Sequence, residues 1–188
     1  LFDMEDVVGS DDDDELIGDN QANALRGGDG NDALEGGGRA DKRYGGEGRD
    51  ILSGGDESDF LYGGEGKDDL DGGSGRGFLY GGAGRDDLFG GSFSDLLGGG
   101  ADNDNLTGGK DKDTFVFEKG YAQDRIRDLD LDDDRIDLTS FRFKNAAQVR
   151  ALASDIGKGV AIEFNRKDTL IVEGIDVSDL TGDVLLLS

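Results

Sequence analysis

From residue 9 to residue 116 the sequence divides into twelve consecutive nine-residue units, with no insertion or deletion. This register constrains the fold more than any other feature, because short equal units can bury an apolar face only by stacking on one another. Four units, 27–35, 45–53, 63–71 and 81–89, follow the form GGxGxDxLx without exception, and they are every second unit of that stretch. The first six residues of a unit predict a turn, since glycine reaches positive φ and lets backbones approach closely. The last three predict a short strand whose middle residue points inward. Two units then make one coil of a flattened parallel β-roll, and each unit stacks on the next but one. Six coils at a strand spacing of ~4.8 Å predict a rod about 25–30 Å long. Its core is the eighth-position column: Leu16, Leu25, Leu34, Leu52, Leu61, Leu70, Leu79, Leu88, Leu97, Leu106 and Phe115. Arg43 breaks that column once.

Apolar burial alone cannot hold such a roll. Only 34% of the residues are apolar, 35 are glycine, and 44 acidic residues against 20 basic ones leave a net charge of -24. That balance ordinarily means disorder unless something outside the chain neutralises the carboxylates. The sixth position of nearly every unit is Asp, so stacking places carboxylates in columns that repel one another. A divalent cation between successive turns reverses the sign of that term. Carboxylate and carbonyl oxygens, with no nitrogen or sulfur donor, select calcium over the more rigidly octahedral magnesium. The absence of His and Cys excludes imidazole acid–base chemistry, thiolate nucleophiles, disulfides and the usual zinc sites. The acidity argues against nucleic acid and anionic membranes as partners. No apolar run approaches the ~20 residues of a membrane-spanning helix. The first residues lack the basic and apolar regions of a secretory signal peptide, and a start at Leu1 suggests processing from a longer chain.

The nonapeptide pattern resembles the RTX, or hemolysin-type, calcium-binding repeat family over roughly residues 9–116. The resemblance implies that each calcium sits between turns one coil apart, held by sixth-position Asp side chains and by backbone carbonyls of the glycine-rich turns. Because alternate units stack, two rows of sites follow. The odd row has Asp14, Asp32, Asp50, Asp68, Asp86 and Asp104 at the sixth position. Its complete motifs add the carbonyls of Gly27, Gly28, Asp29 and Gly30, of Gly45, Gly46, Glu47 and Gly48, of Gly63, Gly64, Glu65 and Gly66, and of Gly81, Gly82, Ala83 and Gly84. The even row has Asn23, Asp41, Asp59, Gly77, Asp95 and Asp113 at the sixth position and Gln21, Arg39, Glu57, Gly75, Phe93 and Asp111 at the fourth. Side chains are forced there into a place that favours glycine, and Gly77 removes a ligand shared by two sites. The pairs Asp41/Asp59 and Asp95/Asp113 remain candidates, but the expectation is a filled odd row and a depleted even row. Outward positions of the even row carry Tyr44, Tyr62, Tyr80, Phe60, Phe78 and Leu96, whereas the odd row has Glu35, Ser53, Asp71, Asp69, Asp87 and Asn105. One outer face is therefore expected to be aromatic and the other acidic. A neighbouring domain or terminal segment covering the aromatic face is the leading expectation, ahead of a partner- or glycan-stacking surface and of simple solvent exposure.

Beyond residue 116 the repeat gives way to alternation, predicting strands at 114–117, 124–128 and 135–138, a helix over 145–155 and a hairpin of 160–164 with 169–172. The expected organisation is a lead-in at 1–8, the roll at 9–116 and a small, mainly β cap with one short helix at 117–188. This last part resembles the C-terminal portions of serralysin-like proteases and alginate-epimerase R-modules. That resemblance implies a cap, an uncleaved export signal within the acidic-then-apolar ending 183–188, and passage through type I export machinery. Asp128, Asp130 and Asp132 invite an EF-hand reading, but Asp133 stands at its glycine position and Thr139 at its bidentate Glu, so a solvated charge run is expected, with an accessory calcium as the alternative. The sequence thus reads as a secreted, non-catalytic calcium-binding module attached to an upstream domain. The alternatives are a polysaccharide-binding module using the aromatic face, and, less favoured without His or Cys, an enzyme.

Overall fold

Two units to a coil give two parallel sheets that share one core. The computed structural model describes residues 6–187. Residues 1–5 of the expected lead-in and Ser188 of the expected export signal lie outside the described residues. The first sheet stacks Asp6–Val8, Ala24–Asp29, Lys42–Gly48, Phe60–Gly66, Phe78–Ala83, Leu96–Ala101, Thr114–Val116, Arg135–Asp137 and Leu185–Leu186. The second stacks Glu15–Ile17, Ala33–Glu35, Ile51–Ser53, Asp69–Asp71, Asp87–Gly91, Asn105–Gly109 and Gln123–Ile126 in parallel. Thr169–Glu173 then joins in parallel, and Gly159–Glu163 and Ala153–Asp155 complete that sheet antiparallel.

Eighth positions face eighth positions, as in Leu25↔Arg43↔Leu61↔Leu79 on one sheet and Leu34↔Leu52↔Leu70↔Leu88 on the other. All are buried from Leu25 onward, Arg43 included. Leu16 alone departs from the expected core column, being only partly buried in the outermost coil of the second sheet.

The stack does not stop at residue 116. Ile126 pairs with Leu106 and Ile136 with Phe115, each after a longer stretch of chain than two units provide. Parallel stacking therefore outlasts the nonapeptide register, giving about seven turns rather than the six expected. The cap also corrects the expected helix. It spans only Ala146–Arg150, started by Asn145, whose side chain accepts the Gln148 N–H at 3.2 Å. The next residues leave the helix because Ala153–Asp155 pairs antiparallel with Gly159–Glu163. Leu152 and Ile156, which supplied the helical spacing, are exposed. The hairpin forms as expected, with Gly159↔Glu173 and Glu163↔Thr169 in register. Among the described residues no helix is long and apolar enough to cross a membrane.

Candidate metal centre

The strand that ends each unit is preceded by its sixth residue, so stacking the strands stacks the aspartates. In the odd row the backbone N–H groups of Asp14, Asp32, Asp50, Asp68 and Asp86 each donate to Oδ1 of the Asp one coil on, at 2.8–2.9 Å. Asp32, Asp50, Asp68, Asp86 and Asp104 are at most 2% exposed, and the Oδ2 of each has no partner. A buried carboxylate oxygen without a partner is costly. Burial accordingly pushes Asp50 up to about 6 and Asp68 and Asp86 up to about 7, against the lowering effect of the N–H donors.

The oxygens point into a cradle that exists only because the unit starts with glycine. A Cβ on Gly27, Gly45 or Gly63 would strike Oδ2 of Asp32, Asp50 or Asp68, and also the carbonyl of Gly45, Gly63 or Gly81. An unpartnered carboxylate oxygen and a first-position carbonyl from the next coil thus meet at one place. The carbonyls of Gly28, Gly46 and Gly64 lie against the glycines at the matching position one coil on, as do those of Gly30, Gly48 and Gly66. The carbonyl of Glu47 is already engaged by the Gly30 N–H at 2.9 Å. Among the described residues no three acidic side chains converge on one point. A cation here would therefore take aspartates from two coils and complete its shell with carbonyls. An all-oxygen set on a flexible turn fits calcium. Asp14 differs, because Ser10 donates to its Oδ2 through its backbone N–H at 2.6 Å and its hydroxyl at 2.9 Å.

Both columns run further than the repeats. The Asp104 N–H donates to Asp124 at 3.1 Å and the Asp113 N–H to Asp134 at 2.9 Å. Asp124 is fully buried with an unpartnered Oδ2, and burial and the facing Asp104 push its carboxyl up. The nonapeptide register hides these two residues, since the loops that lead to them are longer than those of the repeats. The signal that finds them is the tripeptide Asp-x-apolar at positions six to eight of most units, repeated as Asp124-Arg125-Ile126 and Asp134-Arg135-Ile136.

The even row is divided at Gly77, the position where the sequence lacks a shared ligand. Asn23 donates to Asp41 at 2.7 Å and Asp41 to Asp59 at 2.8 Å through their backbone N–H groups. At Gly77 the column breaks, and the Asp59 N–H turns to the Arg76 carbonyl at 3.1 Å. Above the break Gly77, Asp95 and Asp113 again donate in sequence, and Oδ2 of Asp95 and Asp113 is unpartnered and buried as in the odd row. The fourth residue sets the turn shape, in even-row Gly75 at φ 134° and odd-row Asp102 at φ 78° as well. Arg39, Glu57, Phe93 and Asp111 sit at φ of 69–73°, whereas Gly30, Gly48, Gly66 and Gly84 sit at 116–133°, where side chains are not tolerated.

The outer faces follow the expectation in part. Tyr62 stacks on Tyr80 with ring centroids 5.4 Å apart, Tyr44 lies 6.4 Å from Tyr62, and Tyr121 from the cap meets Tyr80 edge-on. Own-chain cover thus reaches the ladder through Tyr121, while Phe60, Phe78 and Leu96 remain exposed. The opposite face carries the pairs Arg49–Asp69 and Lys67–Asp87, each at 2.7 Å, but also exposed Ile17, Ile51 and Phe89, so it is not simply acidic. The acidic run is not merely solvated either. Both Asp128 carboxylate oxygens accept backbone N–H groups, of Gly108 and Gly109, at 2.9 Å.

The sequence matches the RTX calcium-binding nonapeptide repeat (4 copies) over residues 8–41, 44–79 and 80–115, more than half of the chain. No curated protein matches it significantly. Among solved structures it is similar to the extracellular lipase LipA from Serratia marcescens, at 16% identity and a TM-score of 0.49, over 97% of this chain and 40% of the lipase. It is also similar to the AlgE6R2 subunit of the Azotobacter vinelandii mannuronan C5-epimerase, at 23% identity and a TM-score of 0.40, over 99% of this chain and 94% of the subunit. The AlgE6R3 subunit of that epimerase aligns at 27% identity and a TM-score of 0.37, over 75% of this chain and 79% of the subunit. With its glycine cradles and paired aspartates, the chain belongs to the family of RTX calcium-binding nonapeptide repeats.

Proposed function

We propose that the chain is the calcium-binding, non-catalytic module of an extracellular protein, and that calcium drives its folding after export. The observation that carries this reading is the run of buried, unpartnered Oδ2 atoms at Asp32, Asp50, Asp68, Asp86, Asp104 and Asp124. Each adjacent pair would hold a cation with the first-position carbonyls between them, and Asp95/Asp113 would do so in the even row. Bound calcium would supply the positive charge that lets the carboxylates stay ionised in the interior. At the low calcium of a cytoplasm the columns would repel and the chain would stay unfolded, which suits passage through type I export machinery. Outside, folding would stabilise an attached upstream domain. The chain lacks Cys, so no disulfide can lock it before passage. Far-UV circular dichroism with calcium and with EGTA tests the reading. The expected result at neutral or higher pH is a β spectrum only with calcium, and an equally folded chain in EGTA there overturns it.

A second reading, polysaccharide binding, is favoured by the stacked Tyr62 and Tyr80 beside exposed Phe60 and Phe78, since flat aromatic faces suit sugar rings. Replacing Tyr62 and Tyr80 with Ser should abolish binding on a glycan array; unchanged binding sinks this reading.

A further inference from the structure

Among the described residues the interior holds one buried basic side chain, Arg43, fully enclosed at an eighth position between Leu25 and Leu61. Every neighbouring unit places an aliphatic residue there. The long side chain lets the guanidinium reach the even-row turns. Nη2 donates to Asp41 Oδ2 at 2.9 Å and to the Gly54 carbonyl at 2.8 Å, and Nη1 lies 3.5 Å from Asp59 Oδ1. Asp41 and Asp59 are the two carboxylates of one inter-coil pair. Gly54 is the first glycine of the next coil, and its carbonyl corresponds to that of Gly45 beside Asp32. The guanidinium therefore hydrogen-bonds one aspartate and one first-position carbonyl through Nη2 and faces the second aspartate with Nη1 at ion-pair distance, so it meets the same kinds of oxygen that converge in the odd row. A Cβ on Gly36 would strike Arg43 Nη2 together with Asp41 Oδ2, where on Gly27 or Gly45 it would strike an aspartate and a carbonyl. The buried odd-row aspartates each leave Oδ2 without a partner, but Oδ2 of Asp41 is satisfied, so that of Asp59 is the one left open in this pair.

The surroundings fit a single tethered charge better than a divalent ion. Below the pair the sixth position is neutral Asn23, and above it Gly77 has no side chain. Asp41 and Asp59 are thus the only sixth-position carboxylates of that half-row, and a fixed positive charge already lies between them. A calcium ion entering there would have to displace the guanidinium from its oxygens and stand beside it at low dielectric, where like charges repel strongly.

We propose that Arg43 is a tethered cation that takes the place of calcium at the Asp41/Asp59 pair, so that this coil closes without metal. This rests on the calcium reading of the other pairs. The experiment counts calcium bound per chain at saturation by native mass spectrometry, for the full chain and for Arg43→Leu, which restores the aliphatic column. The expected result is one more ion in the variant, lost again when Asp59→Asn is added. Equal counts with and without Arg43 overturn the inference and leave the calcium reading intact. If circular dichroism shows that Arg43→Leu does not fold, Asp41→Asn in the otherwise unchanged chain decides. An unchanged count supports the tethered cation, and loss of one ion overturns it. A chain that binds no calcium at all overturns the proposed function and this inference together.

Discussion

In each buried odd-row aspartate the two carboxylate oxygens have different fates: Oδ1 takes a backbone N–H and Oδ2 takes nothing the chain provides. Asp68 serves the pairs on both sides of it, so Asp68→Asn should raise the calcium concentration at the folding midpoint at least about tenfold, since even outer-shell losses at metal sites cost about 10–100-fold. Calcium titration followed by circular dichroism checks it. The same asymmetry gives a pH dependence with opposite signs in the two states. Burial pushes Asp68, Asp86 and Asp113 up to about 7 from an ordinary 3.8, so the folded calcium-free chain binds protons more tightly than the unfolded one. The stability these groups contribute is fully present below pH 3.8 and is lost as pH rises through about 7. In solution stripped of calcium beforehand, β structure should therefore grow on acidification from neutral to mildly acidic pH, while calcium affinity falls over the same window. A calcium-free spectrum insensitive to pH would contradict this. The Asp column was legible in the sequence because it obeys the period. Asp124 and Asp134 were not, because longer loops bring the chain to the same place by a different path.

At the level of the element, the turn decides which row is regular. Gly66 stands at φ 133°, and a Cβ there would run into the Gly48 carbonyl. Gly66→Ala should therefore cost more than the ~1–3 kcal/mol of a strained backbone position, because displacing a stacked turn adds to the strain. Glu57, by contrast, already sits at φ 71° in the left-handed region. Glu57→Gly should stabilise by roughly 1 kcal/mol through relief of that conformation. Thermal melts at saturating calcium separate the two, with the midpoint falling for the first and rising for the second. The helix shows the limit of local pattern. Its apolar spacing extends to Ile156, yet pairing of Ala153–Asp155 with Gly159–Glu163 ends it at Arg150, since a strand partner satisfies more backbone groups than a frayed last turn.

Across the whole molecule, the segment after residue 116 extends both sheets and both aspartate columns. Gln123–Ile126 and Arg135–Asp137 pair with the last repeat strands, and Asp124 and Asp134 accept from Asp104 and Asp113. Truncation after Val116 would leave two sheet edges open and remove two column members. It should raise the calcium requirement for folding and promote self-association, measured by calcium titration and sedimentation velocity. A truncated chain that folds at the same calcium concentration and stays monomeric would show that the repeats need no cap. The sequence by itself determined the roll, its core column, its two rows and the kind of ion that suits them. It could do so because in a solenoid each unit touches chiefly its neighbours in the stack, so the period is the contact map. Only the tertiary structure decided that Arg43 points inward and neutralises Asp41 and Asp59, that the even row resumes above Gly77, and that the columns end on Asp124 and Asp134. Those outcomes depend on which group lies across the interior or one coil beyond the register, and the nine-residue period does not encode that distance.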